Sequence, residues 1–297
     1  MEDYKLPLHR PEQKLSKASL EIELVPADQF TYAQLTDFYN QTRVDYLVPM
    51  PMNERKLREY CRVYDLDLAQ SSVAMLGDEA LGLIMMGVRG DAKWVTRLGV
   101  IPNGRKKGVG RKLMEQLIRN SRQIGAKKIM LDVIKNNIPA HKLFLSLGFR
   151  ELREMYVTRR PPKPINVITH GTHVETRDYQ EALELLKERS DVSSWLTDTR
   201  SMRNAGNLAG LYAELPSGGR GWLVYQNTVF QLARLVIKTE AGDSAEVTTA
   251  LLENLHWRHQ IQDTICENVP LDSPYWPAMQ KMGYIVSFTR IEMEKKL

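Results

Sequence analysis

Residues 98–110 read Leu-Gly-Val-Ile-Pro-Asn-Gly-Arg-Lys-Lys-Gly-Val-Gly, and they constrain this chain more than any other stretch. An apolar strand end meets a proline-marked turn. A basic, glycine-bearing loop then runs into a helix that Arg111, Lys112 and Leu113 continue. Such a loop aims unpaired backbone N–H groups and the positive end of a helix dipole at one spot, which suits a pyrophosphate. The charge agrees: residues 97–128 hold ten Lys or Arg against one acid, Glu115. A nucleotide P-loop would need Lys followed by Ser or Thr, whereas Gly110 is followed by Arg111-Lys112-Leu113. A dinucleotide fingerprint would need a third glycine, and none is placed for it. A solvated basic loop capping a surface helix stays open as the plainer reading.

A second segment lies downstream. After the helix expected at 108–124, residues 128–133 form a short apolar run that reads as a buried strand. Asn137, Ala140, Leu143, Phe144, Gly148 and Phe149 then follow with the spacing N-x-x-A-x-x-L-F-x-x-x-G-F. Pro139 suits the first turn of a helix and Gly148 its C-terminal cap. Upstream, Val100, Pro102, Arg105, Gly108 and Gly110 fit V-x-P-x-x-R-x-x-G-x-G. In order and spacing the two motifs, over about fifty residues, resemble the GNAT acetyltransferase superfamily.

The resemblance implies an α/β (α+β mixed) fold: a mostly antiparallel central sheet flanked by helices, with a splayed strand pair at the acyl-CoA site. It implies acetyl-CoA as acyl donor, held by Leu98, Val100, Arg105, Lys106, Lys107, Gly108, Val109, Gly110, Arg111, Asn137 and Phe144. The reaction it implies is direct attack of a primary amine on the thioester, polarised by backbone N–H groups of the strand at 98–100. The amine must lose a proton and the departing thiolate gains one. In the family the acid is often the tyrosine of L-Y-x-x-x-G-F, and here that position is Phe144. Candidate catalytic residues are Tyr156, for which core packing is the alternative, and Asp132, for which a structural hydrogen bond is the alternative. Release as thiolate, or protonation by water, would need no residue. Asp45, Tyr46 and Glu54 fall in the segment that lines the acceptor side in the family.

The order of elements expected along the first half is strand (20–25), helices (28–46 and 54–70), and strands (73–76, 81–88 and 93–100). Helix, strand, short helix and a last strand at 150–158 complete it. Residues 159–164, Arg-Arg-Pro-Pro-Lys-Pro, read as a stiff linker. The second half looks like a diverged copy. A shift of 135 residues places Gly148 on Gly283 and Phe149 on Tyr284, with strands at 222–225 and 229–237 and a helix at 245–259. The expected organisation is therefore an extension at 1–19, a GNAT domain at 20–160, a linker at 161–172 and a GNAT-like domain at 173–297. The copy lacks R-x-x-G-x-G: residues 232–263 hold three Lys or Arg against five acids, a balance that repels a pyrophosphate. One cofactor site, in the first half, is the expectation.

Composition bounds the rest. The apolar fraction of 43% supports real cores, and no run of eighteen apolar residues offers a membrane span. Residues 1–19 lack a hydrophobic signal core, and Cys61 and Cys266 are too few for a disulfide scaffold. A cytoplasmic location is expected. The net charge of +5 gathers around Arg105, which favours a cofactor phosphate over nucleic acid. The pairs His170/His173 and His256/His259 have no third ligand at a recognised spacing, so no metal is expected. Trp195, Trp222, Trp257 and Trp276 read as core, with an aromatic acceptor pocket as the alternative. The expected partner is a small-molecule or peptide amine, with a homodimer possible through strand edges near 150–158 or 285–292. The runner-up function is a non-enzymatic acyl-CoA-binding sensor.

Overall fold

Ten elements follow one another and are then repeated in the same order, short 3-10 turns aside. The first run is β1 (Glu23–Pro26), α1 (Tyr32–Gln41), α2 (Glu54–Val63), β2 (Leu66–Leu76), β3 (Glu79–Arg89), β4 (Ala92–Val100), α3 (Val109–Gln123), β5 (Lys128–Ile134), α4 (Ile138–Ser146) and β6 (Arg150–Arg160). The second is β7 (His173–Arg177), α5 (Tyr179–Lys187), α6 (Thr199–Ala205), β8 (Leu208–Glu214), β9 (Arg220–Asn227), β10 (Gln231–Ala241), α7 (Ser244–Arg258), β11 (Asp263–Pro270), α8 (Trp276–Lys281) and β12 (Ile285–Lys296). This is a computed structural model, and it describes residues 21–166, 171–189 and 191–297. Helix α7 begins and ends 135 residues after α3, and β11 begins 135 residues after β5, so the register seen in the sequence is the register of the fold. Gly148 and Gly283 end α4 and α8 at φ +82° and +89°, the left-handed conformation that a helix C-cap takes.

All twelve strands join one sheet in the order β1-β2-β3-β4-β5-β12-β6-β11-β10-β9-β8-β7. The pairs β4/β5 and β10/β11 are parallel, and the others are antiparallel. The centre of this order carries an exchange. Strand β12 lies between β5 and β6, with Arg290 opposite Ile134 and Ile291 opposite Glu154. Strand β6 in turn lies against β11, with Arg159 opposite Ile265. Each half thus completes its sheet with the last strand of the other. The strand edges expected at 150–158 and 285–292 are paired between the halves.

The packing follows the exchange. Ile291 and Met293 of β12 are buried in the core of the first half with Leu113, Leu117, Ile129 and Leu131. Tyr156 of β6 packs on the core of the second half. Across the seam the Trp94 and Trp195 rings stack at 5.8 Å. Arg89 pairs with Asp65 at 2.7 Å and with Asp198 at 3.1 Å.

Several sequence expectations change. The helix expected at 28–46 is confined to α1, because Thr31 caps it with a capping box. The helix expected at 54–70 stops at Val63. Asp65 takes φ +53°, and Leu66 already belongs to β2. Arg159 and Arg160, expected in the linker, continue β6; the Arg160 side chain is buried and its Nε donates to the Met282 carbonyl at 2.8 Å. Val229 and Phe230, expected in a strand, are exposed ahead of β10. His170 and residues 1–19 lie outside the described residues.

Because Met293 is fully buried in a core made mostly by the other half, Met293→Ala should cost about 2–5 kcal/mol. Chemical denaturation should remain a single transition by far-UV circular dichroism and by tryptophan fluorescence. Two separated transitions would show that the exchange does not couple the halves.

Candidate active site

The site starts from a break between β4 and β5. They pair from Ala92/Lys128 to Val95/Leu131, and then part. The cause is a bulge in β4 against β3, where Arg97 takes φ +53°. Beyond it, the Ile101 N–H donates to the Leu81 carbonyl on the β3 side at 2.8 Å. Strand alternation then turns the N–H groups of Leu98 and Val100 toward the gap. Their carbonyls agree, with Leu98 O accepting from Arg43 at 3.2 Å and Val100 O from Arg105 Nε at 3.2 Å. Gly99 lets the end of α1 approach, since a Cβ there would meet the Thr42 Cβ at 2.6 Å.

Strand β4 delivers a basic turn. Gly108, at φ +78°, is the N-cap of α3; it offers no side-chain cap, and the first turn holds no acid. The first intrahelical bond of α3 runs from Lys112 N–H to Gly108 O at 3.0 Å, so the N–H groups before it face outward. Around this cradle stand Arg105, Lys106 and Arg111. An uncapped helix start and three cations form a donor set that fits a pyrophosphate.

One cavity of about 1230 Å³ joins the cradle to the seam between the halves. Of the residues named from sequence, it is lined by Leu98, Val100, Arg105, Lys106, Gly108, Val109, Gly110, Arg111, Asn137, Phe144 and Asp132. Lys107 does not line it, and neither does Tyr156, whose ring lies 4.9 Å from Trp276. Asp45 and Tyr46 reach the cavity, whereas Glu54 is tied to Arg58 at 2.6 Å. Asp45 accepts two hydrogen bonds from Arg105, at 2.5 and 2.6 Å, and these hold its carboxyl below the usual range. Phe144 is buried, 6.0 Å from the Phe149 ring. Asn137 caps α4 and donates to the Tyr46 hydroxyl at 3.4 Å.

Asp132 sits at the inner end. Trp94 Nε1 donates to its Oδ2 at 3.3 Å, and its Oδ1 is buried without a partner. Burial pushes its pKa up to about 6; Arg290 opposes that shift, and Glu292 adds to it. Around it stand groups that motif reading missed: Tyr60, Tyr64, Arg97, Arg234, Glu267 and Arg290. They come from both halves, so no local pattern joins them. Trp195, Trp222, Trp257 and Trp276 do not line the cavity. His256 bonds to the Tyr284 hydroxyl at 3.0 Å and His259 to the Tyr225 hydroxyl at 2.9 Å, which gives the pair separate structural partners. Both cysteines are buried, and burial pushes Cys61 up to about 11 and Cys266 up to about 12.

The second half repeats the bulge but not the cradle. Arg234 of β10 takes φ +56°, and β10 leaves β11 after Ala233/Ile265. Its cavity, about 480 Å³, includes Thr239 but not the start of α7. That start is capped by Asp243, whose carboxylate accepts from Glu246 N–H at 2.8 Å, and Glu246 adds an acid to the first turn.

Residues 33–149 match the model of the acetyltransferase (GNAT) family. Members of this family are acyltransferases that use acetyl-CoA as donor. No curated protein matches the chain by sequence. A solved tandem GNAT protein from the clavulanic acid biosynthesis pathway is similar over 93% of this chain and 98% of its own, with TM-score 0.67 and 15% identity. A GCN5-related N-acetyltransferase from Sphaerobacter thermophilus is similar over 93% and 95%, with TM-score 0.68 and 16% identity. A putative acetyltransferase from Pyrococcus horikoshii is similar over 98% and 94%, with TM-score 0.62 and 14% identity. The chain thus has a tandem GNAT fold. Among its described residues no helix is long and apolar enough to cross a membrane.

The Asp45 carboxylate holds the guanidinium that a pyrophosphate would need. Asp45→Asn should therefore tighten acetyl-CoA binding several-fold, about 2- to 5-fold, measured by calorimetry at low salt. Unchanged or weaker binding would mean that Asp45 orients Arg105 for the cofactor.

Proposed function

We propose that this protein is an acetyl-CoA-dependent N-acetyltransferase whose reaction takes place in the large cavity, with the cofactor held by the first half alone. The observation that carries this reading is the continuity of the cavity, from the uncapped start of α3, along the gap between β4 and β5, to Asp132. Acetyl-CoA supplies an activated acetyl thioester. Arg105, Lys106, Arg111 and the N–H groups at the start of α3 hold its pyrophosphate. The N–H groups of Leu98 and Val100 face the gap, where they stabilise negative charge developing on a carbonyl oxygen.

An ammonium cannot attack, so the acceptor must give up a proton. Asp132 is placed to take it, because its Oδ1 has no other partner and its proton affinity lies nearer neutrality than that of an ordinary carboxylate. The nitrogen–carbon bond forms as the carbon–sulfur bond breaks, and the thiolate takes its proton from water, Phe144 having none to give. The acceptor is a small-molecule or peptide amine. The second half supplies one wall of its chamber, and its own helix start is closed to phosphate by Asp243.

Acetyl-CoA should raise the melting temperature of the protein by mass action, and Gly108→Glu should abolish that rise. No rise with the unaltered protein would overturn the cofactor reading, and a clear rise without thiol release on any amine would favour the sensor reading.

Asp132→Asn makes a paired prediction. As general base, its loss should lower kcat by about 100-fold or more, and kcat/KM of the unaltered enzyme should fall as pH drops through about 6. The folded-state pKa lies above the unfolded value, so ionising Asp132 weakens the fold. The cost is absent below the ordinary carboxyl value and complete above about pH 6. The variant should therefore be more stable than the parent at pH 8, by up to about 3 kcal/mol, and no more stable at pH 4. Denaturant titrations at the two pH values check the sign.

A further inference from the structure

The inner end of the cavity holds three guanidinium groups and two carboxyl groups: Arg97, Arg234 and Arg290 with Asp132 and Glu267. Arg290 and Glu267 form an ion pair at 2.6 Å. Arg97 and Arg234 have no carboxylate within salt-bridge distance among the described residues. Arg97 donates to the Tyr39 hydroxyl at 3.3 Å and lies over the Tyr60 ring at 4.0 Å, while its buried Nε has no partner. Arg234 donates to the Tyr64 hydroxyl at 2.6 Å and to Gln226 Oε1 at 3.1 Å. These contacts aim the two guanidinium groups without neutralising them.

Both arginines are half-buried, and the counter-charge they share, Glu267, acts on them only from beyond salt-bridge distance. Such a cation is only partly compensated, and a planar carboxylate is the partner that a guanidinium fork fits best. The two arginines are also equivalent in the fold, each standing at the bulge of its own half with positive φ. They therefore reach one chamber from the two halves, one from β4 and one from β10.

Resting on the acetyltransferase reading, we propose that the acceptor is an amine that also carries a carboxylate, an amino acid or a peptide with a free carboxyl group, bound through Arg97 and Arg234. The charge tally favours a monoanion. Three guanidinium groups against Glu267 and an ionised Asp132 leave one positive charge, which one carboxylate balances and a phosphate dianion would exceed. With its carboxylate held by the arginines, the acceptor turns its nitrogen toward Asp132 and the gap at Leu98 and Val100. The carboxylate is unchanged in the reaction. The amine proton passes to Asp132 and then to solvent, the acetyl carbon gains nitrogen, and sulfur leaves.

The test uses the full chain saturated with acetyl-CoA. It is offered the standard amino acids and acidic dipeptides, each beside its carboxamide and its decarboxylated amine, with acetylated products identified by mass spectrometry. Carboxylate-bearing acceptors should exceed their amides in kcat/KM by about 10-fold or more. Arg234→Gln and Arg97→Gln should erase that preference through KM, and Arg234→Lys and Arg97→Lys should retain part of it. The acetyl-CoA melting shift, measured on each variant, shows that it is folded and separates the two readings. Loss of the shift in the unaltered protein would defeat the acetyltransferase reading itself. With the shift intact, three results would each overturn the carboxylate proposal: amides used as well as acids, no carboxylate-bearing acceptor acetylated, or a preference that survives in folded glutamine variants.

Discussion

The exchange of β6 and β12 is the constraint on which the rest of this structure depends. Two ten-element units could each close their own sheet and meet through side chains alone. Here each completes the other, so strand pairing continues across the seam from β5 to β12, β6 and β11. Such pairing fixes register, and a slip by one residue would turn Ile291 and Met293 out of the core. The exchange therefore sets where Arg290 stands relative to Asp132, and where Glu267 stands relative to both. The inner chamber is a product of strand register.

The two halves diverge most at the start of one helix. Helices α3 and α7 have equal length and equivalent position, yet one begins at a glycine with no acid in its first turn and the other at Asp243 with Glu246 following. A helix start is a site for negative charge. In α7 the protein provides that charge itself, and in α3 it leaves the place open and adds Arg105, Lys106 and Arg111 around it. The bulged strand that precedes each helix survives in both halves, with Arg97 and Arg234 at matching strained positions. The second half has kept the backbone that presents an arginine to the chamber and has closed the place where phosphate would bind.

Much of the fold was legible in the sequence because its signals are local. The glycines at 108 and 148, the apolar run at 128–133 and the 135-residue offset depend on turn geometry and periodicity within short windows. The boundaries that failed depended on less local causes. Leu66 through Gln70 joined β2 because Asp65 turns the chain at positive φ and sheet pairing takes over from helical spacing. Arg160, with two prolines behind it, looked like linker, and it is strand because it pairs with Thr264 of β11, while Met282, 122 residues away, accepts from its side chain. The site divided along the same line. The phosphate cradle is a contiguous motif, whereas the inner chamber draws on α2, β4, β5, β10, β11 and β12 and has no signature in any window.

That division also gives the second half a chemical part to play. Asp132 belongs to the first half, but the charges that tune it come from the second: Arg290 draws its proton affinity down, while Glu292 and Glu267 push it up against a background of burial. Arg290 is itself held by Glu267, and Glu292 by Arg153 at 2.7 Å. A carboxyl poised near neutrality needs burial without full neutralisation. Arg290, paired with Glu267, gives Asp132 a counter-charge that opposes the upward push of burial without cancelling it. A unit with no phosphate cradle of its own thus adjusts, through Arg290, Glu292 and Glu267, a proton affinity at Asp132 that burial raises first.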